Sequence, residues 1–345
     1  KVYVKDSNGR ESTVYSTTAK TDPYTVRDVC TNNQNLASCI KAFGDKGSDL
    51  TNVYIHNADL DNGANDGSYR FSGASETTNN FVCFGYDSKD GSCPSDNLYR
   101  IIGVFGDNVK LIKWDYATAA LLGSNGDYYN TYKAREGTNT LGTSKGNNTK
   151  EEIGVYYWNY NANTTINGEL GSNTWSTSLL NTTNLNSNFT TKIGTTWSNK
   201  IATTTWKVGG NTEGNIGEQN AKTVYTNEIS SPAANTTVSA KVGLMYVSDY
   251  MYAASPTYWT LVGYSDSPKD YRAAVNDNWM YMGLYEWTIA PRADLSYPVF
   301  YVNIVGYVYD IPAFYAYAVR PVLALESSIT YAGGLGTQDS PIIIN

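Results

Sequence analysis

The sequence predicts an α+β fold dominated by short strands, and three observations carry that prediction. From Val53 onward, apolar or alternating runs of about four to eight residues recur between clusters of Gly, Asn and Asp, the pattern of strands joined by turns. Only residues 24–43 and Ser176–Phe189 show helical spacing. Aromatic residues make up 13% of the chain and charged residues only 17%, with 30 Tyr against 8 Phe. A chain this rich in aromatic and β-branched side chains buries enough apolar surface to fold, which excludes disorder. Its 345 residues suffice for one large domain or two smaller ones.

In order along the chain, residues 1–18 alternate apolar and polar around Asp6-Ser7-Asn8-Gly9, a hairpin signal. An isolated hairpin is marginal in water, so residues 1–22 are expected to complete an upstream sheet. Their pattern resembles the last two strands of an immunoglobulin-like repeat of bacterial surface proteins. The chain lacks an initiator Met, and a processed fragment is expected. A single domain is expected over 23–345. Within it, Ala37–Phe43 is the best helical run, and Gly44 is a natural stop. Strands are expected at Ser68–Phe71 and Phe81–Gly85. A hairpin pairs Leu98–Phe105 with Val109–Trp114 across Gly106-Asp107-Asn108. Residues 120–240 are Asn/Thr/Gly-rich and read as insertions and long loops pinned by Trp158, Trp175, Trp197 and Trp206, with one helix presenting Leu179, Leu180, Leu185 and Phe189. Strand character returns at Val242–Val247, Glu286–Ile289, Val299–Val302, Gly306–Tyr309 and Ala318–Leu325, and the tail is a turn leading into a last strand.

The four cysteines fall in two close pairs, Cys30 with Cys39 and Cys83 with Cys93. Local disulfides are expected, because each pair sits in a polar segment where a short loop benefits from a staple; four free thiols is the alternative. Disulfides and low Lys and Glu content together point to an extracellular setting. The net charge of -7 argues against nucleic acid or an anionic membrane as partner. No apolar run approaches the roughly 20 residues of a membrane span.

Catalytic constellations fail in turn. The one histidine, His56, reads as a surface residue at a strand end, so triads and multi-histidine metal sites lack their parts. Glu286 and Asp294 could be imagined as a glycosidase pair, but Glu286 reads better as a buried acceptor beside Trp287. Asp59, Asp61, Asn65 and Asp66 place oxygens on a Gly-containing loop. Gly63 stands where a calcium ligand should, however, and no Glu closes the loop, so an ordinary Asx-turn loop is favoured over calcium. Neither a cofactor nor a metal is expected, and neither is enzymatic activity.

The informative region is 286–325, where Tyr recurs at 297, 301, 307, 309, 315 and 317. Tyr supplies rigid, amphipathic contact area at low entropy cost, which binding surfaces favour. Between Ala293 and Ala318 there is no Lys, Glu, Gln, Trp or Met, although these types form about an eighth of the chain. Those are the types that an AAY codon cannot reach when its adenines are randomised.

The strings YRIIGVFGDNVKLIKW, LMYVSDYMYAASPTYW, NWMYMGLYEWTIAPR, VFYV…GYV, YAVRPVLAL and GGLGTQDSPI resemble variable proteins of diversity-generating retroelements from gut bacteria and their phages. Their C-terminal domain has a C-type-lectin, formylglycine-generating-enzyme-like fold, and the resemblance covers about residues 24–345. It implies a secreted or surface-displayed receptor or adhesin, on a cell or virion, whose ligand is a protein or glycan on another surface. It further implies a framework of Trp279, Glu286, Trp287, Arg292, Gly306, Arg320 and Pro321. Diversified, ligand-binding positions would be Asp294, Leu295, Tyr297, Asn303, Ile304, Val305, Tyr307, Tyr309, Asp310, Ile311 and Phe314. Trp287, Val299, Val302, Val319 and Leu323 are the expected core beneath them. Enzymes of this fold need a cysteine pair in their C-terminal part, whereas all four cysteines here precede residue 94, so that activity is not implied. The alternative is a carbohydrate-binding or structural module of a surface fibre, pilus or phage tail.

Overall fold

Short apolar strands assemble into two main sheets, the first antiparallel and the second mixed, in a computed structural model, which describes residues 2–5, 11–14, 23–88, 91–132, 142–160, 165–166, 169–231, 236–266 and 268–345. The fold is α+β. In chain order the main strands are β1 (Val53–Ile55), β2 (Tyr69–Phe71), β3 (Phe81–Cys83), β4 (Leu98–Phe105), β5 (Asn108–Lys113), β6 (Tyr128–Thr131) and β7 (Gly154–Tyr157). They continue with β8 (Thr204–Lys207), β9 (Thr237–Ala240), β10 (Val242–Gly243), β11 (Glu286–Pro291), β12 (Pro298–Val302), β13 (Val308–Pro312), β14 (Ala316–Ala318) and β15 (Val322–Ala324). The first sheet runs β10-β15-β5-β4-β2-β1 with β3 also on β4, and the second runs β13-β12-β11-β14-β7-β6. Within the second, β11 and β14 pair in parallel, Glu286 opposite Ala318. Strands Val2–Lys5 and Glu11–Val14 form a separate antiparallel pair, and the expected turn between them lies outside the described residues.

Local sequence explains the best-formed elements. β4 and β5 meet across Gly106-Asp107, Phe105 pairing with Asn108, and Gly106 takes the positive φ (60°) that such a two-residue turn demands of its first member. Helix Leu36–Gly44 starts at Asn35, whose side chain accepts from Ser38 N at 3.0 Å, and buries Leu36, Ile40 and Phe43 on one face. Disulfides join Cys30 to Cys39 and Cys83 to Cys93, so both local pairings hold and no described cysteine is free.

Three sequence expectations change. His56 is not a surface residue: it is fully buried between the rings of Tyr252 and Trp259, 4.7 and 5.1 Å away, and its Nδ1 accepts from Ala64 N. Burial and then the Arg70 guanidinium hold its basicity far below the usual range. Residues 120–240 are more than insertions, since they supply β6 and β7 to the second sheet and β8 and β9 as a separate pair. Of the expected strand 242–247, only Val242 and Gly243 pair as a strand; Val247–Tyr252 is helical, its first turn capped by Asp249.

The expected core residues Trp287, Val299, Val302, Val319 and Leu323 are all buried. Between β14 and β15 the chain passes from the second sheet to the first, and Arg320 marks the crossing. It forks onto Glu286 at 2.7 and 3.0 Å and donates to Met280 O at 2.7 Å, all within the interior. Glu286 is thus the buried acceptor beside Trp287. Burial pushes its carboxyl up and Arg320 opposes the shift.

Candidate functional site

The C-terminal candidates lie on the hairpin β12–β13 and on the loops at its two ends. Register sets the frame: Val302 pairs with Val308, Tyr301 with Tyr309 and Pro298 with Pro312. Loop 303–307 closes one end, while loop 293–297 and Phe314 flank the other, about 13 Å away at strand rise. Leu295, Val305 and Tyr309 are 39%, 44% and 38% exposed, and Asp294 is also exposed. Tyr297, Ile304, Tyr307, Asp310, Ile311 and Phe314 are half-buried. Asn303 departs from the expected exposure. It is buried because its side chain accepts from Val305 N at 3.1 Å and its backbone exchanges bonds with Gly306 and Tyr307, so it builds the turn.

Both loops are gripped through their backbones by distant, fixed side chains. Asn173 donates to the carbonyls of Arg292, Leu295 and Pro298, and its own N–H donates to Ser296 O. The backbone carbonyl of Asn211 accepts from Ala293 N at 2.7 Å. At the other end Tyr250 donates to Gly306 O at 2.7 Å and Tyr281 to Ile304 O. Gly306 sits at φ 94°, and a Cβ there would fall 2.2 Å from Val275, so this turn excludes any side chain at that position.

Arg292 organises the electrostatics of the 293–297 end. Its side chain grips Asp294 bidentately and also reaches Glu213 at 3.0 Å and Asp310 at 3.2 Å. The hydrogen bond from Arg292 lowers the Asp294 carboxyl's affinity for protons, whereas burial raises that of Asp310 against the pull of Arg292. Glu213 accepts from Tyr264, whose ring meets Tyr309 edge-on at 4.4 Å. Asp294, Tyr309 and Asp310 are thereby joined in one network. Tyr307 lies against Arg272 at 5.3 Å, and Phe314 stacks on Tyr315 at 5.4 Å beside Gly171. Asp294 and Leu295 also form one wall of a cleft of about 670 Å³ whose other walls are Asn173–Ser176, Val208–Gly210 and Thr236–Val238.

Not every tyrosine of the region belongs to the surface. Tyr301 and Tyr317 are 5% and 8% exposed and pack with Trp287 and Tyr285 at centroid distances of 4.8–6.3 Å. The framework residues Trp279, Glu286, Trp287, Gly306, Arg320 and Pro321 are buried, and Arg292 is half-buried. Sequence reasoning missed Asn173, Asn211, Glu213 and Tyr264, because each acts across a long sequence separation and no local motif announces it. In the Asp59–Asp66 loop, Asp66 is committed to Arg70, Ser68 and Tyr225. Among the described residues no group of three His, Cys, Asp or Glu is arranged to hold a metal, and no helix is long and apolar enough to cross a membrane. No protein-family model, curated protein or solved structure matches the chain.

Proposed function

We propose that this is a secreted or surface-displayed receptor or adhesin with a C-type-lectin-like domain, preceded by the end of an immunoglobulin-like repeat and lacking enzymatic activity. Its ligand-binding face is the hairpin β12–β13 with loops 293–297 and 303–307, diversified by retroelement mutagenesis. One observation carries the reading: Asn173, Asn211, Tyr250 and Tyr281 hold both loops by the loops' main-chain atoms, so these contacts do not depend on the loops' side chains other than Asn303 and Gly306, which build the 303–307 turn. The two disulfides suit an oxidising, extracellular compartment. The ligand is a protein or glycan on another surface.

The reading is tested at two levels. Randomising Leu295, Ile304, Val305, Tyr307, Tyr309, Ile311 and Phe314 together in a displayed library should leave most members folded and protease-resistant. A library that mostly unfolds would overturn it. The coding DNA should be accompanied by an adenine-rich near-copy of the 293–318 segment beside a reverse transcriptase; a locus without one removes the retroelement from the proposal.

A further inference from the structure

A second pocket, of about 370 Å³, lies between β8, the turn of the β4–β5 hairpin and the segment 225–229, and no candidate face residue lines it. Its walls are apolar and aromatic: Phe105, Trp206, Tyr225, Tyr246 and Ile229. Its volume and the few charges converging at its base match small-ligand sites, which run from about 300 to 1,000 Å³. Lys110 is the central charge. Its ammonium sits among the rings of Phe105, Trp206 and Tyr246 at 5.3, 5.8 and 4.6 Å and bonds Asp249, while its side chain stays 11% exposed.

The lining carries three cations, Arg70, Lys110 and Lys207, against the single carboxylate of Asp249. Arg70 is held from behind by Asp66 at 2.7 Å. Glu228, close by, is turned onto the backbone N–H groups of Val247 and Ser248. Among the described residues Lys207 has no ion-pair partner, and Lys110 has donors to spare beyond Asp249.

We propose that this pocket binds a small ring-bearing carboxylate, its ring against Trp206, Phe105 and Ile229 and its carboxylate on Lys110 and Lys207. A carboxylate there completes the charge balance of the lining, and a flat ring packs against the aromatic walls.

Calorimetry on the full chain with three near-isosteric probes tests this: indole-3-acetate, its neutral amide indole-3-acetamide, and cationic tryptamine. The acetate should bind at one site about tenfold or more tighter than the amide, the scale of one charge-assisted hydrogen bond. Tryptamine should show no binding. Lys207→Met should remove most of the preference for the acetate over the amide. Thr205→Trp, at an exposed lining position, should abolish binding of the acetate with the melting temperature unchanged. Equal affinity for all three probes, no binding of the acetate, or acetate binding that survives Thr205→Trp would overturn the proposal. Tyr309→Ala should leave the titration unchanged, so the outcome is independent of the fate of the C-terminal face.

Discussion

Trp287 and Tyr309 stand two strands apart in one sheet, yet truncating each should have opposite consequences. Trp287 is fully buried and donates to Tyr156 O, so Trp287→Ala should cost about 3–5 kcal/mol and lower the melting temperature clearly. Tyr309 is 38% exposed, and Tyr309→Ala should change stability by less than about 1 kcal/mol. Where it is a hot spot, the same change should weaken ligand binding by about 2 kcal/mol, roughly thirtyfold. Equal thermal shifts for the two variants would contradict this division. At Glu228, burial raises the carboxyl from 4.5 to about 7. The folded state therefore holds that proton more tightly than the unfolded chain. The stability it contributes is full below about pH 4.5 and is lost as pH rises through about 7. Urea unfolding between about pH 5 and 7.5 should show this decline, and Glu228→Gln should flatten it; parallel profiles would refute the assignment. His56 shows why single residues mislead in sequence. Its neighbours Tyr252 and Trp259 are nearly two hundred residues away or more, so nothing local distinguishes it from a surface histidine.

The hairpin β12–β13 is an element whose ends are fixed from elsewhere. Asn173→Ala removes the side-chain donor shared by three carbonyls of the 292–298 segment, and should cost about 1–3 kcal/mol. Limited proteolysis should then cut within 293–297 first; unchanged cleavage would mean that Asn173 does not hold the loop. Gly306→Val should destabilise more than any change at Val305, because both φ and the approach of Val275 exclude a side chain. Elements with a strong local signal were legible in the sequence. The β4–β5 hairpin and the helix from Leu36 carried their own turn and cap residues. The run Ala318–Leu325, by contrast, reads as one strand and is two, since Arg320 and Pro321 carry the chain between sheets. Alternation reports burial on a face but not which sheet owns it. Of the four residues that the helix expected within Ser176–Phe189 was to present, Leu180, Leu185 and Phe189 are buried and Leu179 is half-buried, and the helix spans Leu180–Phe189 with π rather than α winding.

At the scale of the whole molecule, both disulfides lie in the first sheet's surroundings, and each closes a short loop. Removing either by Cys→Ser should cost about 2–3 kcal/mol on the chain-entropy account. Peptide mapping without reduction should return Cys30–Cys39 and Cys83–Cys93, and crossed links would refute the arrangement. Local patterning and cysteine spacing indicated the α+β class and the cysteine pairing, because strand patterning and loop length are local. They could not show that residues 120–240 donate β6 and β7 to the sheet of the candidate face. Nor could they show that Glu213, Arg292 and Asp310 meet, since those contacts exist only once the sheets have formed.

The crossing from β14 to β15 bears on how the protein is made. β14 lies between β11 and β7, and β15 lies between β10 and β5, so residues 316–324 supply an inner strand to both sheets. Synthesis proceeds from the N-terminus, and neither sheet is closed until these residues have left the ribosome. A chain interrupted within 293–315 lacks the inner strand of each sheet and the Arg320 that neutralises Glu286. Such a product is left with open strand edges and a Glu286 without its cation, both of which oppose completion of the fold. The segment proposed to vary is thus followed directly by the one that completes both sheets.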